Sequence, residues 1–370
     1  MSLLPPEPYG VFRYAPSELS SSGFWAWIFA GLAEDPERAA GQRAVAEAVL
    51  AAAGCATPIG QVSVEREYAL GRGAGRVDIR VAYDETEILI ENKVKAIPTA
   101  EQLRRYVGRP VNRSGLVPML FSTAFDDQVI EALPGVRVGR GRPAEEFPWT
   151  IFRPEDLRAA AVHGRALHPL IDDYVRSLER LLLKRETIKR LALSDDRDGL
   201  TEALGTHEGQ WYLMKALTDG IPACCYQGSN TGGRPWTQCR FTDRPAPERD
   251  ALFYRIDFDM GGGRGEWQPY LSLQQYQNPA DPGKGTRLET LRAHAVEALA
   301  SSLASSGSRY TPDDVSYAPR DIRIPQLESA VIRFRVWETP FPALRVFFRQ
   351  FHDSFVDRAN PDNGFILLTP

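Results

Sequence analysis

Hydrophobic positions near the start of the chain recur at helical spacing. Leu19, Phe24, Trp25, Trp27, Ile28 and Leu32 follow Pro16 and a candidate cap, Ser17, and predict a mostly buried helix over residues 17–32. An Ala-rich stretch predicts a second helix over 36–53, stopped by Gly54. The period then drops to two. Val62 and Val64, then Val77, Ile79 and Val81, then Ile88 and Ile90 alternate with polar neighbours and predict three strands, with hairpin turns at 71–75 and 84–87. Next come a helix over 100–107, an apolar strand over 117–122, a loop rich in Gly and Arg, a strand over 149–152 and a long helical stretch over 155–193. Hairpins combined with a crossover make this a mixed α/β sheet flanked by helices.

The acidic run SDDRDG at 194–199 reads as a linker, which divides the chain into domains at 1–195 and 196–370. The second domain shows hairpin strands at 252–260 and 267–275 around a GGGRG turn, helices over 286–305 and 343–355, and a further strand at 330–337. It reads as α+β, without repeating the first.

Composition narrows the class. Of 370 residues, 43% are hydrophobic and 25% charged, which disfavours disordered, collagen-like and coiled-coil chains. Cys55, Cys224, Cys225 and Cys239 are too few and too unevenly spaced for a disulfide framework, and the five histidines form no zinc pattern. A reducing cytoplasm is the compartment these cysteines suggest. The longest apolar stretch has about ten residues, half of what a membrane span needs, so no membrane partner is expected. The opening residues lack the basic-then-apolar order of a signal peptide.

Candidate chemistry lies in Gly75-Arg-Val-Asp-Ile-Arg-Val81 and Ile88-Leu-Ile-Glu-Asn-Lys-Val94. Alternation places Glu91 and Lys93 on one strand face and Ile88, Ile90 and Asn92 on the other. Asp78 can meet Glu91 if the two strands pair. A solvated edge carrying ordinary charges is the bland alternative. The Ile-Leu-Ile run is too apolar for such an edge, and buried charges are costly unless paired or metal-bound. Hard oxygen donors beside a lysine suit magnesium.

Asp78, twelve intervening residues and Glu91-Asn92-Lys93 resemble the PD-(D/E)XK nuclease superfamily. The wider string GRVDI…ILIENKVKAIPTAEQLRRY resembles its bacterial branch with an I-E-N-K strand and a Q-x-x-x-Y helix. Val77 stands where that family usually has Pro. The resemblance implies a restriction-endonuclease-like mixed β-sheet flanked by helices. It implies that Asp78 and Glu91, helped by the Asn92 carbonyl, bind Mg²⁺, with Mn²⁺ able to substitute. Lys93 would orient the attacking water or stabilise the transition state, and Glu18 on the first helix would be an additional acid. Gln102 and Tyr106, four apart on one helix face, would lie beside the site. Glu18 could equally be an acid placed by the helix dipole, and Gln102 could close a capping box with Thr99. Arg104 and Arg105 are either phosphate contacts or solvated helix arginines.

The family implies a nucleic-acid substrate, DNA before RNA, with restriction, repair or antiphage defence as settings and a homodimer as one possible assembly. Ten Lys/Arg against seven Asp/Glu between Arg66 and Arg113 give that window an excess of three, leaving −7 for the rest of a chain at −4. A polyanion can therefore approach an acidic protein locally. Two other readings stand beside the nuclease: a catalytically silent module that binds nucleic acid or protein, and an enzyme of small phosphorylated compounds. The pair Asp257 and Asp259 reads as a surface feature, and the glycine run at 71–75 precedes a strand, unlike a phosphate-cradling loop.

Overall fold

The computed structural model describes residues 11–14, 17–71, 75–94, 100–107, 115–123, 136–138, 145–147, 149–230, 233–243, 251–260, 267–276, 284–306, 315–316, 328–334, 341–363 and 366–367. The chain forms two compact units, Pro6–Leu183 and Lys184–Pro370.

In the first unit, α1 (Val11–Tyr14), α2 (Glu18–Ala30) and α3 (Ala40–Ala52) precede β1 (Val62–Ala69), β2 (Arg76–Tyr83) and β3 (Thr86–Lys93). Then come α4 (Ala100–Val107), β4 (Leu116–Ser122), the short pair β5 (Val136–Val138) and β6 (Glu145–Phe147), β7 (Thr150–Phe152), α5 (Pro154–Val162) and α6 (Pro169–Leu191), whose last eight residues, from Lys184, belong to the second unit. The main sheet has the order β1-β2-β3-β4-β7; its first three strands are antiparallel, and β3, β4 and β7 run parallel. It is the expected mixed sheet with helices. The long helical stretch is interrupted at residues 163–168, ahead of Pro169, a residue at home in a first helical turn.

Helix α2 starts where Ser17 Oγ accepts the Ser20 amide at 3.1 Å. Its Trp25, Ile28 and Phe29 are fully buried against one face of the sheet, in a core shared with Ile79, Val81, Ile88, Ile90 and Phe121. Trp25 Nε1 donates to Tyr174 OH at 3.1 Å, so even the polar edge of this indole is satisfied. Each fully buried large apolar side chain here contributes about 1.5–3 kcal/mol. The opposite face carries a smaller cluster of Leu70, Val77, Leu89 and Tyr106, the last from α4.

Gly115 sets the start of β4. It adopts φ +108°, and a Cβ there would lie 2.2 Å from Glu85 O. Its carbonyl accepts the Glu87 amide at 2.9 Å, which registers β4 beside β3. Gly115→Ala is therefore expected to cost at least about 2 kcal/mol, from backbone strain and a backbone clash together. Urea titration of both proteins checks this; equal midpoints would defeat it.

The second unit contains α7 (Arg197–Leu204), α8 (His207–Leu217), β8 (Cys224–Ser229), β9 (Pro235–Arg240), β10 (Thr242–Asp243), β11 (Ala251–Met260), β12 (Trp267–Tyr276), α9 (Lys284–Ser306), β13 (Val315–Ser316), β14 (Glu328–Phe334), α10 (Phe341–Asn363) and β15 (Ile366–Leu367). The expected linker at 194–199 is a correction: Asp196 caps α7 by accepting the Gly199 amide at 2.9 Å, so the acidic run starts a helix. The six-stranded sheet has the order β13-β14-β12-β11-β9-β8. One face, with Cys239, Tyr254, Ile256, Leu271, Leu273 and Ile332, packs with helix residues such as Leu213, Leu288 and Phe348 in one core. The GGGRG turn lies outside the described residues, but Met260 and Trp267 pair on either side of it, as a hairpin requires.

Candidate active site

Two strand ladders give way at Asp78. The β2–β3 pairing runs from Tyr83↔Thr86 to Ile79↔Ile90 and stops one residue short of Asp78 and Glu91. On the other side, β1 pairs at Arg66↔Ile79 and Tyr68↔Val77, while Glu67 between them takes φ +51°, uncommon for a residue with a side chain. Where pairing ends, the Asp78 side chain replaces it: Oδ2 accepts the Asn92 backbone N–H at 2.7 Å.

Beyond that point β3 is held by β4, with Glu91 opposite Leu120 and Lys93 opposite Ser122. The alternation anticipated from the sequence holds. Glu91, only 2% exposed, accepts Lys93 Nζ at 2.6 Å and Gln102 Nε2 at 2.8 Å, both on Oε1. Gln102 Nε2 also lies 2.8 Å from Tyr106 OH, so the α4 pair faces the site together. Thr99, its alternative capping partner, lies outside the described residues. Lys93 Nζ lies 3.5 Å from Glu18 Oε2, and Glu18 Oε1 accepts the Val94 amide at 3.4 Å.

Asn92 points the other way, into the interface with α2. It is buried, its Oδ1 accepts Ser21 Oγ at 3.1 Å, and its Nδ2 donates to Glu18 O at 3.1 Å and Ser22 Oγ at 3.3 Å. This anchor sets the first turn of α2, and with it Glu18, against the end of β3. The site therefore gathers Asp78, Glu91, Lys93, Glu18 and Gln102, with Asn92 beneath them.

Three acids and one ammonium share this small volume, and the balance appears in their proton affinities. Burial, then the neighbouring Asp78 charge, pushes the Glu91 carboxyl up to about 7, against the pull of Lys93. Burial also raises Asp78, despite the Asn92 amide and Lys93. Burial pulls the Lys93 ammonium down, but the bond to Glu91 and the surrounding acids outweigh it, so the net shift is upward. Burial raises the Tyr106 hydroxyl as well. The cluster holds more negative charge than its own lysine neutralises.

Among the described residues, no group of three or more His, Cys, Asp or Glu side chains is placed to hold a metal ion. Sequence reading missed Glu67, whose turn in β1 looks from sequence like one more strand acid. It missed the serines that anchor Asn92, since helix serines carry no such signal. It also missed Ser122, in register with Lys93 and 1% exposed, whose Oγ has no hydrogen-bond partner among the described residues. Arg105 is exposed; the Arg104 side chain and residues 72–74, within the glycine run, lie outside the description.

Elsewhere two expectations are corrected. Asp257 is buried, not a surface acid: it pairs with Arg255 at 2.9 Å and accepts Asn230 Nδ2 at 2.5 Å, while the Asp259 side chain lies outside the described residues. Cys225 and Cys239 face each other across β8 and β9 and form a disulfide, a pairing set by register and not by spacing. That bond removes the cysteine argument for a reducing compartment. Among the described residues no helix is long and apolar enough to cross a membrane.

A family model of the PD-(D/E)XK nuclease superfamily matches residues 9–115, the stretch that carries all six candidate residues. Comparisons with curated proteins and with solved structures give no match.

Proposed function

We propose, taking the PD-(D/E)XK nuclease match of residues 9–115 as premise, that the protein is a metal-dependent nuclease hydrolysing phosphodiester bonds of nucleic acid, DNA before RNA. One observation carries this reading: Asp78, Glu91 and Lys93 converge where the β2–β3 ladder ends. The donor set fits a hard divalent cation. Asp78 and Glu91 are oxygen ligands whose charges are under-compensated, and both bonds at Glu91 use Oε1, leaving Oε2 for an ion. The unpartnered Ser122 hydroxyl on the same face would be satisfied by a water of a hydrated ion or by a substrate oxygen.

Asp78 and Glu91, with the Asn92 carbonyl, would hold Mg²⁺ or Mn²⁺, which when bound makes a water more acidic and offsets charge on the scissile phosphate. Gln102 keeps Glu91 in its rotamer. Glu18 and Glu91 hold the Lys93 ammonium between them, poised to donate to the attacking water or to a phosphoryl oxygen. The domains at 1–195 and 196–370 would divide the work, the first cutting and the second selecting substrate, dimerising or binding a partner.

A second reading is a catalytically silent nuclease fold. The 2.6 Å Glu91–Lys93 pair favours it, because a closed ion pair already partly neutralises the candidate ligand. Incubating the full chain with supercoiled plasmid, linear duplex and RNA separates the two. Cleavage that requires Mg²⁺ or Mn²⁺, stops in EDTA and is lost in Asp78→Asn is the expected outcome. Cleavage surviving either condition sinks the proposed mechanism, and no cleavage of any substrate leaves the silent fold.

A further inference from the structure

Strand β4 ends on a polar side chain that nothing meets. Along this strand Met119 and Phe121 enter the core shared with α2, so Leu120 and Ser122 face the opposite way, toward the side that carries Glu91 and Lys93. Ser122 stands in register with Lys93 on the neighbouring strand, about 4.8 Å away across the ladder. The backbone is fixed at this level, because the Lys93 carbonyl accepts the Thr123 amide at 2.8 Å. Ser122 is 1% exposed, and its Oγ has no hydrogen-bond partner among the described residues. A hydroxyl shut away from water without a partner is costly, and in a folded protein it calls for a reason.

Lys93 supplies one. Its ammonium carries three N–H donors and lies 2.6 Å from Glu91 Oε1 and 3.5 Å from Glu18 Oε2. The short bond to Glu91 closes the empty site. A cation held by Glu91 competes for that carboxylate and repels the ammonium, so the bond weakens as the site fills. Lys93 is mostly buried, and a buried ammonium needs another acceptor in place of the one it loses. Glu18 is already close. Ser122 stands across the ladder on the same face, with its lone pairs unused.

We propose that Ser122 is a positioning residue for Lys93: its Oγ accepts the Lys93 ammonium when a divalent cation occupies Asp78 and Glu91. Together with Glu18 it then keeps the ammonium off the cation's ligand and ready to act on substrate. The hydroxyl proton stays available for a water of the ion or a substrate oxygen, since a hydroxyl accepts and donates at once. The unmet bond of the empty site thus belongs to a second arrangement of the same side chains. The inference rests on the metal-dependent reading, and it explains how a site closed by an ion pair still takes up a metal.

The test measures Mn²⁺ binding to the full chain by calorimetry, without nucleic acid, beside thermal melts in EDTA. Ser122→Ala should weaken Mn²⁺ binding about tenfold. Its melting temperature in EDTA should equal or exceed that of wild type, since the change removes a buried hydroxyl that bonds to nothing. In a Lys93→Met background, studied at about pH 6 where loss of the lysine costs less stability, the effect of Ser122→Ala should shrink to about threefold or less. Unchanged Mn²⁺ affinity in Ser122→Ala would overturn the inference. So would a melting temperature in EDTA lowered by more than about 4 °C, which marks a structural hydroxyl. An undiminished effect in the absence of Lys93, or a wild type that binds no Mn²⁺, would also overturn it. The plasmid assay reads independently: a protein with this binding pattern that cuts no nucleic acid keeps the inference and loses the nuclease reading.

Discussion

Lys93→Met is expected to lower cleavage by about 10²–10³-fold, the loss typical when one preorganised donor to a developing charge is removed. The same change should destabilise the metal-free protein by about 3–5 kcal/mol near neutral to alkaline pH, because a mostly buried ammonium is taken from beside a 2%-exposed carboxylate. Its pH dependence follows from Glu91, raised to about 7 in the folded protein from an ordinary 4.5. A carboxyl with a raised folded value holds its proton better when folded. Its contribution is therefore complete below the unfolded value and is lost as pH rises through about 7. Wild type in EDTA should lose stability over that window. Without Lys93 the carboxyl rises further, so the deficit of Lys93→Met should be small at about pH 5.5, where Glu91 is protonated in both proteins, and large at about pH 8. Mg²⁺ should recover part of it at the higher pH, since a cation replaces the missing charge. Urea melts at both pH values, with EDTA or Mg²⁺, measure this. A deficit equal at both, or unmoved by Mg²⁺, contradicts the idea that excess carboxylate charge dominates the site.

Asn92→Ala should cost about 2–4 kcal/mol without touching the Asp78 bond, which uses the backbone amide. Three side-chain hydrogen bonds disappear, and Glu18 O, Ser21 and Ser22 are left in a largely buried interface. For a unit of this size that corresponds to a fall in melting temperature of roughly 4–16 °C. Because the anchor sets the first turn of α2, cleavage per folded molecule should also drop as Glu18 drifts from Lys93. Calorimetry together with turnover at a temperature where both proteins are folded checks the two effects. A loss under about 1 kcal/mol would mean that apolar packing alone holds α2 to the sheet.

Much of the first unit can be read along the chain because its information is local. The period-two runs around Val77–Val81 and Ile88–Ile90 assign faces, and those faces hold in the structure: Ile88 and Ile90 reach the α2 core while Glu91 and Lys93 share the other side. Partners are another matter. Alternation says that Asp78 and Glu91 can meet, but not that pairing ends at Ile79↔Ile90, nor that Glu67 takes a positive φ between the Arg66↔Ile79 and Tyr68↔Val77 pairs. The acidic run at 194–199 misled for the same reason: Asp, Gly and Ser suit both a linker and a capped helix start, and only Asp196 accepting the Gly199 amide distinguishes them.

The sequence by itself determined which residues could do chemistry: two carboxylates and a lysine in a strand too apolar to be an edge, with a glutamine and tyrosine one helical turn apart. Tertiary structure alone decided how they are held. It gave Gln102 to Glu91, tied Asn92 to serines some 70 positions away, joined Cys225 to Cys239 and set Ser122 in register with Lys93. Periodicity records which way a side chain points, because that depends on the backbone of its own element. What it meets there depends on strand register and helix packing, which are set by contacts between distant parts of the chain.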